Sequence, residues 1–389
     1  MDPDSIPGRV FAGLADDVVK MTTSAGWRQA EIPIAFSLNG VKGFALTLNN
    51  RRNYEDSLES PLMYSRISRK TLDALISAME TSLPIFRRYL DAKARYLKVD
   101  KLKFYDLFAP VGGSAKKWTY QDVSSYVERQ FAQFSPEMGA FAKMAFDEGW
   151  IDAESREGKI GGAYCTSFPL AKASRILCNF EGSFSDLSTI AHELGHAYHH
   201  HVLKDDSAIH RDYPMTLAET ASIFAQTLVF DAALSEATVD EKINVIEEFL
   251  QDSTQVIVDI LSRFYFERKV FDERKSAELS PEEFSSYMLE AQKQTYGSGL
   301  DEEHLHQYMW AVKPHYYSHE LGFYNYPYAF GLLFGLGLFD RYKAEGSSFV
   351  GLYDDVLKAT ARGTANEVTS KVGFDIESTE FWMSGIKQI

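Results

Sequence analysis

The spacing of apolar residues predicts a mainly helical chain. Apolar side chains recur every three or four residues from Ser68 to Lys98 and again from Thr119 to Trp150. Pro84 predicts a kink or a break in the first segment, and Ser135-Pro136 predicts a helix start in the second. Beyond Gly182 the helical spacing continues, with helices predicted at about 185–203, 215–235, 240–273, 281–295, 301–312 and 327–343.

Two other regions have different patterns. Residues 1–50 combine a short helix, Gly8–Met21, with a strand-like stretch from Ile32 to Leu48. Residues 159–166 and 175–180 are rich in β-forming residues and bounded by turns, which predicts two strands, as a hairpin or as the edge of a small sheet. The expected fold class is therefore mainly α, with one small sheet set among many helices.

The composition of the chain excludes several classes of protein. The 389 residues are 45% hydrophobic and 24% charged, which supplies a core and excludes disorder as the main state. Lys and Arg total 40 against 55 Asp and Glu, for a net charge of −15. Because no basic block offsets this balance, nucleic acid and anionic membranes are not expected as partners. The two cysteines, Cys165 and Cys178, exclude a disulfide scaffold.

No segment has the pattern of a leader or of a membrane span. The first residues, Met1–Ser5, are acidic and lack an apolar core, so they do not resemble a secretory signal. The most apolar stretch, Phe323–Phe339, is interrupted by Asn325, Pro327 and glycines, and it is shorter than the roughly 18–20 apolar residues of a span. It is expected to be a buried helix, and the expected localisation is cytoplasmic.

The segment from His192 to His196 is the clearest candidate for a metal-binding site in the sequence. His192 and His196 are four residues apart, so on a helix both imidazoles lie on one face and can bind one metal ion. Glu193 is offset around the helix and can reach a water molecule on that ion without binding the metal. Ser183 and Asp186 have the spacing of a capping box that starts this helix. The alternative is a solvent-exposed, His-rich helix face that continues through residues 199–201.

A third ligand is needed, because a catalytic zinc site uses three protein ligands and leaves one position open. Glu219, on the next predicted helix, is surrounded by apolar residues, where an unpaired carboxylate is costly to bury. A salt-bridged helix glutamate is the alternative for Glu219. The metzincin pattern does not fit, because His199 and Val202 occupy the positions of its glycine and its third histidine.

This ligand set predicts a mechanism. Zinc held by the three residues would acidify a bound water molecule and polarise a peptide carbonyl, and Glu193 would move the proton to the leaving amine. The oxyanion that results needs hydrogen-bond donors, and residues 315–328 contain five tyrosines and two histidines. Most of these tyrosines individually fit an aromatic core, and two or three are expected to face the metal.

These motifs together resemble the oligoendopeptidase F group of the thimet-oligopeptidase-like zinc metallopeptidases. The likeness extends from about residue 48 to the end of the chain. The segments that carry it are Phe104–Pro110, Lys159–Cys165, His192–His199, Leu217–Ser222, Pro314–Tyr317 and Phe323–Gly331.

The resemblance implies a zincin-like helical catalytic body in which the small sheet edges a deep substrate channel. It also implies one Zn²⁺ per chain and short peptides as substrates. It assigns His315 and a tyrosine to the oxyanion or the substrate carbonyl, with Tyr328 expected at the oxyanion, Tyr324 at a neighbouring contact, and Tyr326 equally close in sequence. It further implies that the substrate backbone pairs, as an added strand, with the segment Gly161, Gly162, Ala163 and Tyr164.

Members of this group are usually longer than this chain, by an N-terminal helical lobe. Residues 1–50 are therefore expected to be a remnant of that lobe or a linker from it, and residues 51–389 the catalytic domain. The expected function is a zinc-dependent endopeptidase acting on internal bonds of short oligopeptides.

Two other functions stay open. One is a zinc-holding, peptide-binding fragment with little turnover. The other is a structural zinc site, which is disfavoured because no fourth ligand is apparent. Without the lobe, an exposed channel wall would present an apolar patch, so a homo-oligomer is a further expectation.

Overall fold

The computed structural model describes residues 25–112 and 116–389. The helix predicted at Gly8–Met21 lies outside the described residues. The described chain divides into two compact units. The first unit contains residues 25–64, 79–111 and 251–326. The second contains residues 65–78, 112–250 without 113–115, and 327–389.

The mainly helical fold predicted from the sequence is confirmed. A π-helical turn, Gln255–Asp259, divides the single helix predicted at about 240–273 into two, Val239–Thr254 and Ile260–Arg274. In chain order the helices are α1 (Ala25–Arg51), α2 (Glu59–Ser65), α3 (Arg69–Leu97), α4 (Tyr120–Phe134), α5 (Pro136–Asp147), α6 (Phe184–Val202), α7 (Met215–Glu236), α8 (Val239–Thr254), α9 (Ile260–Arg274), α10 (Pro281–Tyr296), α11 (Met309–Val312), α12 (Tyr326–Glu345), α13 (Phe349–Ala359), α14 (Ala365–Ser370) and α15 (Thr379–Ile386).

The strand predicted from Ile32 to Leu48 is wrong, because this stretch lies within helix α1. Apolar residues occur on both sides of the helix, which imitates the alternation of a strand. Phe36 and Phe44, for example, are 63% and 51% exposed. The buried positions instead follow helical spacing. They are Ala35, Leu38, Asn39, Lys42 and Ala45.

A kink or a break was predicted at Pro84, and the break is wrong, because helix α3 continues through this residue. Proline has no N–H to donate to the carbonyl of Glu80, four residues earlier. Glu80 and Pro84 are both exposed, so water can solvate that carbonyl. The hydroxyl of Ser82 donates to the Met79 carbonyl at 2.7 Å, which adds a hydrogen bond in the same turn. The proline is therefore accommodated inside the helix.

The helix predicted at about 301–312 is also wrong, since only Met309–Val312 is α-helical there. Leu300 pairs with Leu102 in an isolated parallel bridge. Asp301 donates its backbone N–H to the Leu102 carbonyl at 2.8 Å. This pairing holds the chain extended at the point where the predicted helix would begin.

The small sheet has the strand order β1-β3-β2, with β1 at Ile151–Glu154, β2 at Tyr164–Phe168 and β3 at Ala173–Phe180. The predicted hairpin is confirmed, because β2 and β3 pair antiparallel with Tyr164 opposite Leu177. Strand β1 pairs parallel with β3 and was not predicted, because four residues are too few for a clear alternation. Strand β2 is therefore one edge of the sheet within the described chain.

Helix α7 is the one helix of the described chain that is long and apolar enough to cross a membrane. The most apolar stretch of the sequence, Phe323–Phe339, is a different segment. Ala221 and Phe224 of α7 have no exposed surface within the second unit, as in a core helix. The buried helix predicted at Phe323–Phe339 is confirmed as α12, in which Phe330 and Phe334 are fully buried.

Candidate metal centre

The first two candidate ligands lie on helix α6, which begins with the predicted capping box. Ser183 Oγ accepts the Asp186 N–H at 3.0 Å, and Asp186 Oδ2 accepts the Ser183 N–H at 2.9 Å. The carboxylate also suits the positive end of the helix dipole. The helix that starts here carries His192 and His196 one turn apart on the same face.

Glu219 reaches the two histidines from helix α7, which packs against α6 in the second unit. Its Oε2 lies 3.2 Å from His192 Nε2 and 3.4 Å from His196 Nε2. The three ligand atoms all lie within 4.8 Å of one another. Ligand atoms around a tetrahedral zinc with bonds of about 2.0–2.1 Å are roughly 3.4 Å apart, so the trio has the spacing of such a site.

Neighbouring side chains fix the direction in which the ligands point. His192 Nδ1 lies 3.0 Å from Gln226 Oε1. Because an amide oxygen only accepts hydrogen bonds, this contact puts a proton on Nδ1 and turns Nε2 towards Glu219. Ser222 Oγ donates to Glu219 Oε2 at 2.7 Å, which orients the carboxylate.

The pKa values of Glu219 and His192 shift in opposite directions. Burial alone would raise the pKa of Glu219, but the hydrogen bonds from His192 and His196 outweigh it and hold the pKa well below its usual value. Burial alone would lower the pKa of His192, but the hydrogen bond and the charge of Glu219 outweigh it and raise the pKa. The pocket therefore favours a positive charge beside Glu219, which either a protonated imidazole or a metal ion supplies.

Glu193 lies beside the two histidines on helix α6. It is 6% exposed, and its Oε2 has no hydrogen-bond partner in the described part of the chain. Burial raises the pKa of Glu193, while the nearby histidines reduce this shift. A buried carboxylate oxygen without a partner is rare and costly, and such groups concentrate at functional sites.

Two glycines allow the surrounding helices to approach closely. A Cβ on Gly195 would lie 2.5 Å from the Ala221 carbonyl oxygen and 2.6 Å from Ser222 Cα on helix α7. A Cβ on Gly331 of helix α12 would lie 2.3 Å from Glu219 Cβ. Neither position has room for a side chain, so both glycines set the position from which Glu219 reaches the histidines.

We expect Gly195→Ala to destabilise the protein by about 1–3 kcal/mol, because the methyl group must displace backbone atoms of helix α7. Glycine-to-alanine changes inside helices ordinarily stabilise by roughly 0.5–1 kcal/mol. Gly351→Ala in helix α13 is the matched control, since a Cβ there meets nothing within 4 Å. Chemical denaturation compares the variants, and equal stability of the two would contradict the tight packing at Gly195.

The predicted substrate segment lies at the β2 edge of the sheet. Gly161 and Gly162 are exposed, and a Cβ on either would meet no atom within 4 Å. Gly162 has a φ of +84°, which glycine adopts without strain. Ala163 is half-buried, and Tyr164 is 51% exposed. Within the described chain the outer side of β2 pairs with no other strand, so its backbone is accessible.

A buried lysine holds the loop that leads into β2. The Lys159 side chain is 2% exposed. Its Nζ donates to the carbonyls of Cys178 at 2.6 Å, Glu154 at 2.8 Å and Asp152 at 2.9 Å. A fourth contact, at 3.1 Å, is to the Asp152 carboxylate. Lys159 therefore ties the loop to strands β1 and β3.

His315 belongs to the first unit, where polar contacts fix its tautomer. Asn325 Nδ2 lies 2.8 Å from His315 Nε2, and Arg263 Nη1 lies 3.4 Å from Asn325 Oδ1. Because a guanidinium only donates, Asn325 turns its oxygen to Arg263 and its amino group to His315. Burial, together with nearby positive charges, lowers the pKa of His315 to about 3. The neutral imidazole therefore carries its proton on Nδ1.

The three candidate tyrosines have different surroundings. Tyr326 is 1% exposed and donates to the Pro61 carbonyl at 3.2 Å, so its hydroxyl contributes to packing in the first unit. Tyr324 is half-buried and stacks on His315, with ring centroids 5.4 Å apart. Tyr328 is half-buried in the first turn of helix α12. Tyr324 and Tyr328 therefore keep accessible surface.

Sequence reasoning missed three polar residues of these sites. Ser222 and Gln226 lie three and seven residues after Glu219, so a polar stripe on an otherwise apolar helix was a signal that could have found them. Asn325 has no such signal, because its partners Arg263 and His315 come from separate parts of the sequence.

A mainly helical fold that joins two histidines of a His-Glu-x-x-His segment to a glutamate of the next helix is typical of helical metallopeptidases. Comparison with known proteins agrees with this class. Residues 44–388 match the model of peptidase family M3, and the chain belongs to this family.

The chain is also similar to individual proteins. The chain is 30% identical to the chromosomal oligoendopeptidase F of Lactococcus lactis subsp. cremoris, over 86% of this chain and 56% of that protein. It is 26% identical to oligopeptidase PepF of Bacillus subtilis, over 85% of this chain and 49% of that protein. The crystal structure of oligoendopeptidase-F from Enterococcus faecium superposes with a TM-score of 0.70 at 20% identity, covering 99% of this chain and 63% of that one. The chain thus spans about half the length of these curated relatives.

Proposed function

We propose that this chain is a zinc-dependent endopeptidase that hydrolyses internal bonds of short oligopeptides. The observation that carries the proposal is the convergence of His192, His196 and Glu219 beside the unpartnered carboxylate oxygen of Glu193. Membership of peptidase family M3 supports peptides as the substrate class. Relatives named oligoendopeptidase F support short peptides and internal bonds.

The donor set fits one zinc ion. Two imidazole nitrogens and one carboxylate oxygen are a usual set for catalytic zinc, and they leave one position open. Gln226 and Ser222 supply the hydrogen bonds that orient ligands in such sites. When bound, zinc contributes Lewis acidity that polarises a peptide carbonyl and makes water a better nucleophile.

Glu193 is the proposed general base. Its Oε2 accepts a proton from the attacking water and then gives that proton to the nitrogen of the leaving amine. Burial and the missing hydrogen-bond partner support this role, because no donor has to leave Oε2 before it accepts the proton. The raised pKa makes the carboxylate a stronger base towards the water, which suits a group that accepts a proton and then returns it.

The edge strand β2 is the proposed binding site for the substrate backbone. A peptide lying antiparallel or parallel to Tyr164–Phe168 would extend the sheet by one strand. Gly161 and Gly162 would let the peptide approach the backbone closely, and Ala163 and Tyr164 would continue the contact. The accessibility of this edge and its anchoring by Lys159 support the assignment.

His315 and Tyr328 are the proposed donors to the oxyanion, with Tyr324 as a neighbouring substrate contact. The Nδ1–H of neutral His315 and the tyrosine hydroxyls are donors of the kind that stabilise such a charge. Tyr326 is the weaker candidate, because its hydroxyl is engaged with Pro61.

The division into an N-terminal segment, residues 1–50, and a catalytic domain, residues 51–389, stays a prediction. So do the cytoplasmic location, the homo-oligomer and the absence of nucleic-acid and membrane partners. The alternative function, a zinc-holding fragment with little turnover, is decided by the activity test.

That test uses an internally quenched fluorescent peptide of about eight residues with blocked ends. We expect zinc-dependent cleavage at an internal bond, identified by mass spectrometry, which is lost with a chelator and restored by zinc. Cleavage that survives complete zinc removal would contradict the proposal. Stoichiometric zinc without cleavage of any of a varied set of peptides would favour the binding fragment.

The tautomer of His315 gives a separate prediction. Asn325→Asp replaces the amino group that donates to His315 Nε2 with an oxygen that only accepts, so the imidazole proton should move to Nε2. We expect kcat to fall by about 10²-fold, as for loss of one oxyanion donor, with zinc content unchanged. Nitrogen-15 NMR of the histidine rings reports the tautomer directly. An unchanged tautomer or an unchanged kcat would contradict the assigned role.

A further inference from the structure

A cavity of about 320 Å³ lies entirely within the first unit. Its volume is in the range of small-ligand sites, which is about 300–1,000 Å³. The π-helical turn Gln255–Asp259 forms part of its wall, and such turns occur often at functional sites. Apolar and aromatic side chains make up much of the rest. They include Leu90, Phe104, Leu107, Tyr296, Met309 and Val312.

The polar groups of this cavity carry an excess positive charge. Asp259 forms an ion pair with Arg263 and accepts the Tyr296 hydroxyl at 3.4 Å, so its charge is already compensated. Lys313 also lines the cavity. Among the described residues, the charges of Arg263 and Asp259 act on its ammonium, and no hydrogen bond does. Two cations therefore face one carboxylate.

Arg263 contributes a second unsatisfied donor. It is 8% exposed, and its Nε has no hydrogen-bond partner in the described residues. Its other nitrogens contact Asp259 and Asn325. A buried guanidinium N–H without an acceptor costs free energy unless a ligand supplies one. Burial, together with the charge of Arg263, lowers the pKa of Lys313, and the charge of Asp259 only reduces this shift.

We propose that this cavity binds the C-terminal residue of a short peptide, with its carboxylate on Lys313 and Arg263 and its apolar side chain against the cavity wall. One carboxylate matches the single excess charge, and its oxygens accept from both the ammonium and the guanidinium edge. The apolar wall gives no partner to a strongly hydrated dianion such as phosphate. The peptide as the source of the carboxylate rests on the proposed function, whereas the carboxylate site itself does not.

Isothermal titration calorimetry on the metal-free full chain tests this site without any turnover. The probes are N-acetyl-L-phenylalanine, its amide, and hexanoate as a carboxylate with no peptide group. We expect the acid to bind at least about tenfold more tightly than the amide and than hexanoate. Equal binding of acid and amide would overturn the carboxylate site. Hexanoate binding as tight as that of the acid would overturn the peptide as its source.

Three variants locate the site. Lys313→Met should remove the preference for acid over amide, while Lys101→Met, the same change at an exposed lysine, should leave it intact. Val312→Trp should fill the cavity and weaken the binding of all three probes. Circular dichroism melts check that each variant folds. A preference that survives Lys313→Met would place the carboxylate elsewhere and contradict the proposal.

The experiments distinguish failure of the carboxylate site from failure of the proposed endopeptidase function. Zinc-dependent cleavage without binding of the acid would overturn only the carboxylate site. Binding of the acid without cleavage would overturn only the endopeptidase.

Discussion

Glu193→Gln is expected to lower kcat for peptide cleavage by about 10²- to 10⁴-fold, the usual contribution of a general base. The amide has nearly the shape of the carboxylate but cannot accept a proton from water. Because Glu193 Oε2 is buried without a partner in the described chain, the change breaks no hydrogen bond that stabilises the fold. Zinc content and melting temperature should therefore stay at or above the values of the parent protein.

The measurement is kcat with the quenched peptide, beside zinc analysis of the same sample. Glu181→Gln is the matched control, because Glu181 is exposed just before helix α6. It should cleave like the parent protein. If Glu193→Gln cleaves as fast as Glu181→Gln while both hold zinc, the general base is another group.

Glu219→Ala is expected to have the second largest effect, a loss of zinc affinity. It removes the only carboxylate within contact of the two imidazoles among the described residues, and with it the negative charge that favours a cation. We expect a weakening beyond the ~10–100-fold that changes in the outer hydrogen bonds of a metal site cost. Cleavage should fall with it at zinc concentrations that saturate the parent protein.

Two further variants give zinc affinities with which that of Glu219→Ala can be compared. Gln226→Leu removes only the hydrogen bond to His192 Nδ1, so zinc affinity should fall by about 10–100-fold. Glu236→Ala, at the far end of the same helix, should leave affinity unchanged. Competition with a fluorescent zinc chelator measures all three. Equal zinc affinity of Glu219→Ala and Glu236→Ala would remove Glu219 from the ligand set.

The candidate metal ligands could be predicted because their geometry is largely local. His192 and His196 need only one helical turn to share a face. Glu219 was recognisable as a carboxylate in an apolar stretch, where a charge needs a partner. The distance that brings it to the histidines depends instead on the packing of α7 on α6, and the tight fit at Gly195 is visible only in the structure.

Other features depend on long-range contacts and could not be predicted. The tautomer of His315 follows from Arg263 and Asn325, which the fold brings together from distant positions. The sequence predicts a strand within helix α1 because the exposed side chains of Phe36 and Phe44 obscure the helical spacing of its buried side. The cavity beside Lys313 has no local pattern at all, since its wall combines several separate segments.

The central claim is that one zinc ion is shared by two imidazoles of helix α6 and one carboxylate of helix α7. Anomalous X-ray diffraction from crystals of the full chain, collected on both sides of the zinc absorption edge, tests it most directly. We expect one zinc peak about 2.0–2.2 Å from His192 Nε2, His196 Nε2 and a Glu219 carboxylate oxygen. A zinc-loaded crystal whose anomalous peak lies away from these three atoms would contradict it.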